Sequence, residues 1–253
     1  MPDVTERKRA GRRFVKKLFA AVGLDVSRRD EHRMHLSMAG ALRHLAGSGF
    51  QPATVVDVGV GNGTSDLYAA FPDATFLLIE PLEEFRPVLE DVASRYRASL
   101  VVAAAGRERG SVDMFVHSYL EGSSLLRERG EQTGIVAREV PMVTIDDLCD
   151  EHDLAGPYLI KIDAQGGEIE AMSGATRSLA DAEVVILEVS LFQFVEDGPE
   201  LHDVIPFMKD KGFVAYDLFG GHVRPLDGAL AQVDIVFVKE HGRFRRSHAY
   251  GHA

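Results

Sequence analysis

The chain has 253 residues, 45% hydrophobic and 26% charged, enough for one α/β domain of roughly 200–250 residues and cramped for two. Its net charge of −11 is uneven: residues 1–50 carry 11 Lys and Arg against 5 Asp and Glu, and the strongly acidic remainder argues against nucleic acid as the main partner. No apolar run nears the roughly 18–20 residues of a membrane span and no secretory signal opens the chain, while a lone cysteine, Cys149, excludes an intramolecular disulfide and thiolate metal clusters and fits a reducing cytoplasm.

Residues 7–22 place Phe14, Val15, Leu18, Phe19 and Val22 at helical spacing among arginines and lysines. The stripe is read as packing on the domain; the alternative is a basic amphipathic helix facing an anionic membrane or an acidic carrier. A second helix is predicted over Glu31–Ala46, stopped by Gly47 and Gly49. Residues 1–48 are thus read as a helical extension, 49–240 as the ligand-binding domain and 241–253 as a polar tail.

The stretch from Thr54 to Phe85 organises the chain. An apolar run from Thr54 to Val56 meets Asp57 and then Gly59, Gly61 and Gly63; a short helical pattern follows, and a second apolar run from Thr75 to Ile79 ends at Glu80. Strand, glycine loop, helix and strand with a terminal acid make half of a nucleotide-binding sheet. Glycines let the backbone turn tightly and let a ligand come close, and Glu80 stands where an acceptor can meet a ribose diol. A dinucleotide fingerprint reads G-x-G-x-x-G, whereas this loop reads G-x-G-x-G behind an acid that would repel a pyrophosphate. Asp57 suits a ligand with a cationic end, such as the amino group and sulfonium of S-adenosylmethionine. A nicotinamide or flavin, or a loop with no ligand, remain the alternatives.

Phe85 to Tyr96 reads as a helix, Leu100–Ala104 as the third strand and Ser111–Ser118 as an antiparallel strand with which Glu139–Val143 pairs back. The polar Tyr119–Gly134 segment between them has a length that usually means function or disorder. Thr144 is the N-cap of the next helix, with Asp146 and Asp147 in its first turn. Tyr158–Asp163 is the fourth core strand and leads into a helix at Gly167–Met172; Val184–Leu187 is the fifth, ending at Glu188. A helix through Leu201 and Met208 stops at Gly212. Phe213–Leu218, a Gly220–Leu230 loop and Val233–Val238 then form an antiparallel hairpin. Alternating strands and helices predict an α/β fold, a mainly parallel sheet covered on both faces, with one antiparallel strand at its end.

Four ordered segments, VVDVGVGNG, FLLIEP, VPMVTIDDL and LIKIDAQGGEIEAMSGA, resemble the FkbM family of S-adenosylmethionine-dependent methyltransferases over roughly Gly49 to Lys239. The family similarly reads an acid, a glycine and a glycine four residues on, as Asp57, Gly59 and Gly63 do. The chain departs in having Gly61 where asparagine is usual and Ala164-Gln165 where valine-glutamate is common. The resemblance implies a class I Rossmann-like fold with a seven-stranded sheet, and methylation of a hydroxyl on a sugar, polyketide or other natural product. The alternative is a cofactor-binding regulatory or scaffolding domain without turnover.

Methyl transfer is an in-line displacement, so alignment supplies most of the catalysis, and a positioned base takes the alcohol proton. Asp163 and Glu188, at strand carboxyl ends, are the catalytic candidates. Asp57, Gly59, Gly61, Asn62, Gly63, Glu80, Pro81, Ala104 and Ser124 are the cofactor-binding candidates, with Ser123 and Ala105 beside them. The alternative for Asp163 is a cap on the helix that follows it. No metal ligands are assigned, although Asp163, Glu188 and Glu168 would make an all-oxygen Mg²⁺ site. His117, His202 and His222 are further bases to weigh, and Lys161 in an apolar strand calls for an acidic partner. The expected partner is a small-molecule hydroxyl acceptor, with no nucleic acid, no membrane insertion and self-association left open.

Overall fold

A computed structural model describes residues 35–129 and 134–251. By its internal contacts the chain divides into 1–34 and 35–253, and everything described below belongs to the second unit. The basic stripe at 7–22 lies outside the described residues, as do the first residues of the Glu31–Ala46 prediction.

The first described helix, α1 (Met38–Gly47), starts later than its pattern suggested because Ser37, in extended conformation, accepts a hydrogen bond from the Gly40 amide and caps it. Its Ala41, Leu42 and Leu45 are buried in the core. In chain order follow β1 (Thr54–Val58), α2 (Ser65–Ala70), β2 (Thr75–Ile79), α3 (Arg86–Arg95), β3 (Ala98–Val101), β4 (Ala104–Ala105), β5 (Gly110–Val116) and β6 (Val136–Val143). Then come α4 (Ile145–Glu151), β7 (Tyr158–Ile162), α5 (Glu168–Ser173), α6 (Thr176–Asp181), β8 (Ala182–Ser190), α7 (Leu201–Asp210), β9 (Phe213–Val223) and β10 (Leu230–Lys239).

Seven strands form one sheet in the order β3-β2-β1-β7-β8-β10-β9, parallel except at β10, which runs against both neighbours. The antiparallel strand therefore sits inside the sheet rather than at its end, because the β9–β10 hairpin folds back and inserts its second arm beside β8. The hairpin loop is also shorter than its glycines suggested: pairing continues to Val223 and resumes at Leu230. The apolar run at Leu100–Ala104 is split. Its first part pairs with β2, and β4 leaves to pair with β6 in a separate three-stranded sheet with β5. An apolar run signals burial but cannot say which sheet receives it.

Both faces of the large sheet are covered. Val55, Leu159, Val184, Ile186 and Val236 pack on one side with α1, α2 and α3; Val56, Ile160, Val185, Leu187 and Phe237 pack on the other. Strands buried on both faces read as continuous apolar runs, so polar interruptions stand out. Four lie on the Val55 face: Asp57 and Lys161, paired across β1 and β7, and Glu188 and Asp234, paired across β8 and β10.

Candidate functional site

Those four side chains converge where β1, β7 and β8 end, which is where open α/β sheets bind ligands. The chain leaves β1 through Gly59, at φ 69°, where a Cβ would stand 1.7 Å from the Asp163 carbonyl oxygen. Only glycine lets the loop cross the end of β7 so closely. The loop is held from the next strand by Glu80, whose Oε2 accepts from the Gly61 amide and Oε1 from the Leu82 amide, each at 3.0 Å. Burial raises the pKa of Glu80, and these two amides oppose the shift.

Below the loop, Asp57 is fully buried. Tyr68 donates to its Oδ2 at 2.7 Å, and the Thr64 amide donates to the Tyr68 oxygen at 3.1 Å, pinning the start of α2. The Lys161 ammonium lies 3.6 Å from Asp57 Oδ1 and 3.5 Å from Asp163 Oδ2, and donates to the Gly59 carbonyl at 3.3 Å. Burial alone would neutralise Lys161, but Asp163, Asp57, Asp234 and Glu188 together carry its pKa upward and keep it charged.

A cavity of about 520 Å³ opens above this cluster, within the roughly 300–1,000 Å³ of small-molecule sites. Gly59, Gly61, Asn62, Gly63, Glu80, Pro81, Ala104, Ala105, Asp163 and Glu188 all line it. Two of the expected residues do not. Asp57 lies beneath the loop: Tyr68 donates to its Oδ2, and its Oδ1, 3.6 Å from the Lys161 ammonium, accepts no hydrogen bond among the described residues. Ser124 lines a neighbouring cavity and donates to the Gln165 carbonyl at 2.7 Å, leaving its neighbour Ser123 on the cavity wall. The segment after β5 folds over the glycine loop, where Asn62 donates to Glu121.

Asp163 does not cap α5; Gly167 holds that position. Glu168 turns away from the cavity to accept from the Ala164 and Gly166 amides at 3.0 and 3.1 Å, and burial raises its pKa to about 7. The three-acid Mg²⁺ arrangement is thus not assembled, and among the described residues no cluster of three metal-ligating side chains forms. His202 is exposed, His117 lies against Glu128 at 3.5 Å, and His222 alone of the three reaches the cavity. Asp234 and Gln232 were not singled out by the sequence reading. The signal was available in Asp234, an acid inside the apolar β10 run, but its partner Glu188 is set by strand register. Burial, with Asp163 and Asp234 nearby, raises Glu188 to about 8; burial and Asp163 raise Asp234 to about 6.

The donor set tests the ligand. Among the described residues lining this cavity, the carboxyl groups are Glu80, Glu121, Asp163, Glu188 and Asp234, and Lys161, already ion-paired, is the single lysine or arginine. Such walls fit a sulfonium and an ammonium and disfavour a pyrophosphate.

A doubly wound sheet of this order, with a glycine loop and an acid-walled cavity at its strand ends, defines a class I methyltransferase. The model of the methyltransferase FkbM domain matches residues 57–215, and the chain belongs to that family; it is an S-adenosylmethionine-dependent methyltransferase. No curated protein matches the chain. Among solved structures it is similar to a methyltransferase FkbM from Methylobacillus flagellatus (18% identity, TM-score 0.47), covering 72% of this chain and 43% of that one, so it spans less than half of that protein. A precorrin-6y C5,15-methyltransferase from Geobacter metallireducens gives 12% identity, coverage of 83% and 96%, and a TM-score of 0.44. The 1,6-didemethyltoxoflavin-N1-methyltransferase from Burkholderia thailandensis, solved with S-adenosylhomocysteine, gives 13%, 79% and 76%, and 0.38. Among the described residues no helix is long and apolar enough to cross a membrane.

Proposed function

We propose that the enzyme methylates a hydroxyl group of a small molecule, with Asp163 as the base. The observation that carries this reading is the pairing of two unlike carboxyl groups at the cavity. Asp163 is ion-paired to Lys161, whereas Glu188 is raised to about 8 and stays protonated at neutral pH. Asp163, held by the Lys161 ammonium, is the carboxyl group placed to take a proton, and Glu188 the one placed to keep its own.

Glu80, Pro81 and the glycine loop would hold S-adenosylmethionine, with the small Ala104 and Ala105 leaving room along one wall. When bound, that cofactor supplies an electrophilic methyl group on a cationic sulfur. Asp163 takes the proton from the acceptor oxygen as the new bond forms, a contribution of roughly 10²–10⁴ in rate. Lys161 holds the Asp163 carboxylate in place, and Glu188, neutral, adds no second negative charge beside it. Asp57 acts through Lys161 and Tyr68 as a positioning residue. The segment through Glu121 and Ser123 lies over the glycine loop, with Glu121 bonded to Asn62.

Calorimetry with S-adenosylhomocysteine, followed by transfer of labelled methyl to a panel of alcohols and amines, tests the assignment. Asp163→Asn is expected to retain S-adenosylhomocysteine binding and lose about 10²-fold or more in kcat. Transfer to nitrogen alone, or an Asp163→Asn variant at full rate, would refute it.

A further inference from the structure

Of the five carboxyl groups that line the cavity, four are engaged by neighbours. Glu80 accepts from the Gly61 and Leu82 amides, and Glu121 from the Asn62 amide group and the Tyr119 hydroxyl. Asp163 accepts from Gln165 at 3.0 Å and faces Lys161 at 3.5 Å, while Glu188 accepts from Gln165 at 2.9 Å and from Gln232 at 2.8 Å. Asp234 is the exception: among the described residues it accepts no hydrogen bond and makes no ion pair. Lys161 is the one cation that acts on it, and the same ammonium already answers to Asp163, Asp57 and Glu188.

A carboxylate in this position is costly to keep. Half-buried on β10 beside Glu188, Asp234 is pushed up to about 6 by burial and by Asp163, and it is still ionised at neutral pH. The fold nonetheless reserves space for it. Gly220 on β9 stands at φ 62°, and a Cβ there would lie 2.8 Å from Asp234 Oδ2. With room provided and no structural partner, the charge of Asp234 acts on whatever enters the cavity.

The ligand that feels it most is a cation. Met38, Leu82, Phe85, Ala104 and Met114 form apolar parts of the wall, which screen a charge poorly and focus the field of the acids into the cavity. S-adenosylmethionine carries a positive sulfur. S-adenosylhomocysteine keeps every other group but has lost the methyl and the charge, so the amino and carboxylate ends cancel when the two are compared. At an effective dielectric of about 20, one carboxylate across a small cavity changes the affinity of a cation by roughly tenfold.

We propose that Asp234 is a specificity-determining residue that makes the enzyme hold the cationic methyl donor more tightly than the neutral S-adenosylhomocysteine left after transfer, so that the product is the weaker ligand. This rests on reading the cavity as the donor's site. Calorimetry on the full chain without an acceptor tests it, with S-adenosylmethionine, S-adenosylhomocysteine and sinefungin, which carries an amine in place of the methylated sulfur. Both cationic ligands are expected to bind at least about tenfold more tightly than S-adenosylhomocysteine. Asp234→Asn is isosteric and fits the space beside Gly220; it should shrink that preference by about three- to tenfold while S-adenosylhomocysteine affinity stays within about threefold, which reports an intact site. Asp234→Ser, smaller and also neutral, should give the same narrowing. S-adenosylhomocysteine binding as tightly as the two cations, a preference unchanged in both variants, or a loss of all three ligands alike in both overturns the assignment. Failure of the unaltered protein to bind any of the three would instead overturn the reading of the cavity as the donor's site.

Discussion

Lys161 faces Asp57 across the β7–β1 register, its ammonium 3.6 Å from the carboxylate, with both side chains sealed from solvent. A buried ion pair contributes little net stability over apolar replacements, but breaking one partner strands the other charge. Lys161→Met should therefore cost about 3–5 kcal/mol in urea unfolding, and Asp57→Asn combined with it should recover a good part of that loss. A single Lys161→Met variant within about 0.5 kcal/mol of the parent would show that the pair carries no such strain.

The glycines of the loop are not equivalent, and alanine should separate them. At Gly59 the added methyl meets the Asp163 carbonyl 1.7 Å away, so β1 and β7 must part. Gly59→Ala is expected to be destabilised by more than about 3 kcal/mol and to lose S-adenosylhomocysteine binding. At Gly61 the nearest atom is Glu121 Cγ at 3.9 Å and only the φ of 49° opposes a side chain. Gly61→Ala should cost about 1–2 kcal/mol and remain folded. Equal thermal shifts in the two variants would contradict this account.

Glu80 gives each carboxylate oxygen to a backbone amide and retains lone pairs toward the cavity. Glu80→Gln replaces one acceptor with a donor that faces an amide N–H, so the loop loses an anchor and the proposed ribose contact an acceptor. S-adenosylhomocysteine affinity should fall about 10- to 100-fold by calorimetry, with the far-ultraviolet spectrum unchanged. An affinity within twofold would remove Glu80 from the ribose role.

How much of this was legible in the sequence depended on whether the signal was local. The β1–α2–β2 unit was readable because its glycines, apolar runs and terminal acid lie within one short stretch. The helix cap at Thr144 was readable for the same reason, since the hydroxyl reaches an amide three residues on, at 3.1 Å. What failed needed long-range pairing. Nothing in Leu100–Ala104 marks the point where the chain leaves one sheet for another, and although Lys161 in an apolar strand called for an acidic partner, only strand register shows that Asp57 is one of them. Asp234 became part of the site only through its register with Glu188 and through Gly220, whose absent side chain leaves room for the Asp234 carboxylate, 2.8 Å from where a Cβ would lie.

The acid cluster should also write itself into the pH dependence of stability. Glu188 at about 8, Glu168 at about 7 and Asp234 at about 6 hold protons in the folded protein that the unfolded chain releases near 4.5, 4.5 and 3.8. Because the folded state binds more protons across this interval, its stability is greatest below the unfolded values and declines as pH rises through the folded ones. Exposed acids held low by arginines, such as Asp227 at about 2 beside Arg224, contribute the opposite slope only in strong acid. The thermal midpoint should therefore peak near pH 5 and fall toward pH 8, by at least the roughly 2–4 °C that one kcal/mol produces at this size, then level off. Glu188→Gln keeps a neutral, hydrogen-bonding side chain with nothing to titrate, so the decline between about pH 6 and 8 should flatten in that variant. Calorimetric scans across pH check both statements. A midpoint that rises from pH 6 to 8, or a Glu188→Gln slope equal to the parent's, would mean that Glu188 is ionised in the folded enzyme and that the division of labour with Asp163 is wrong.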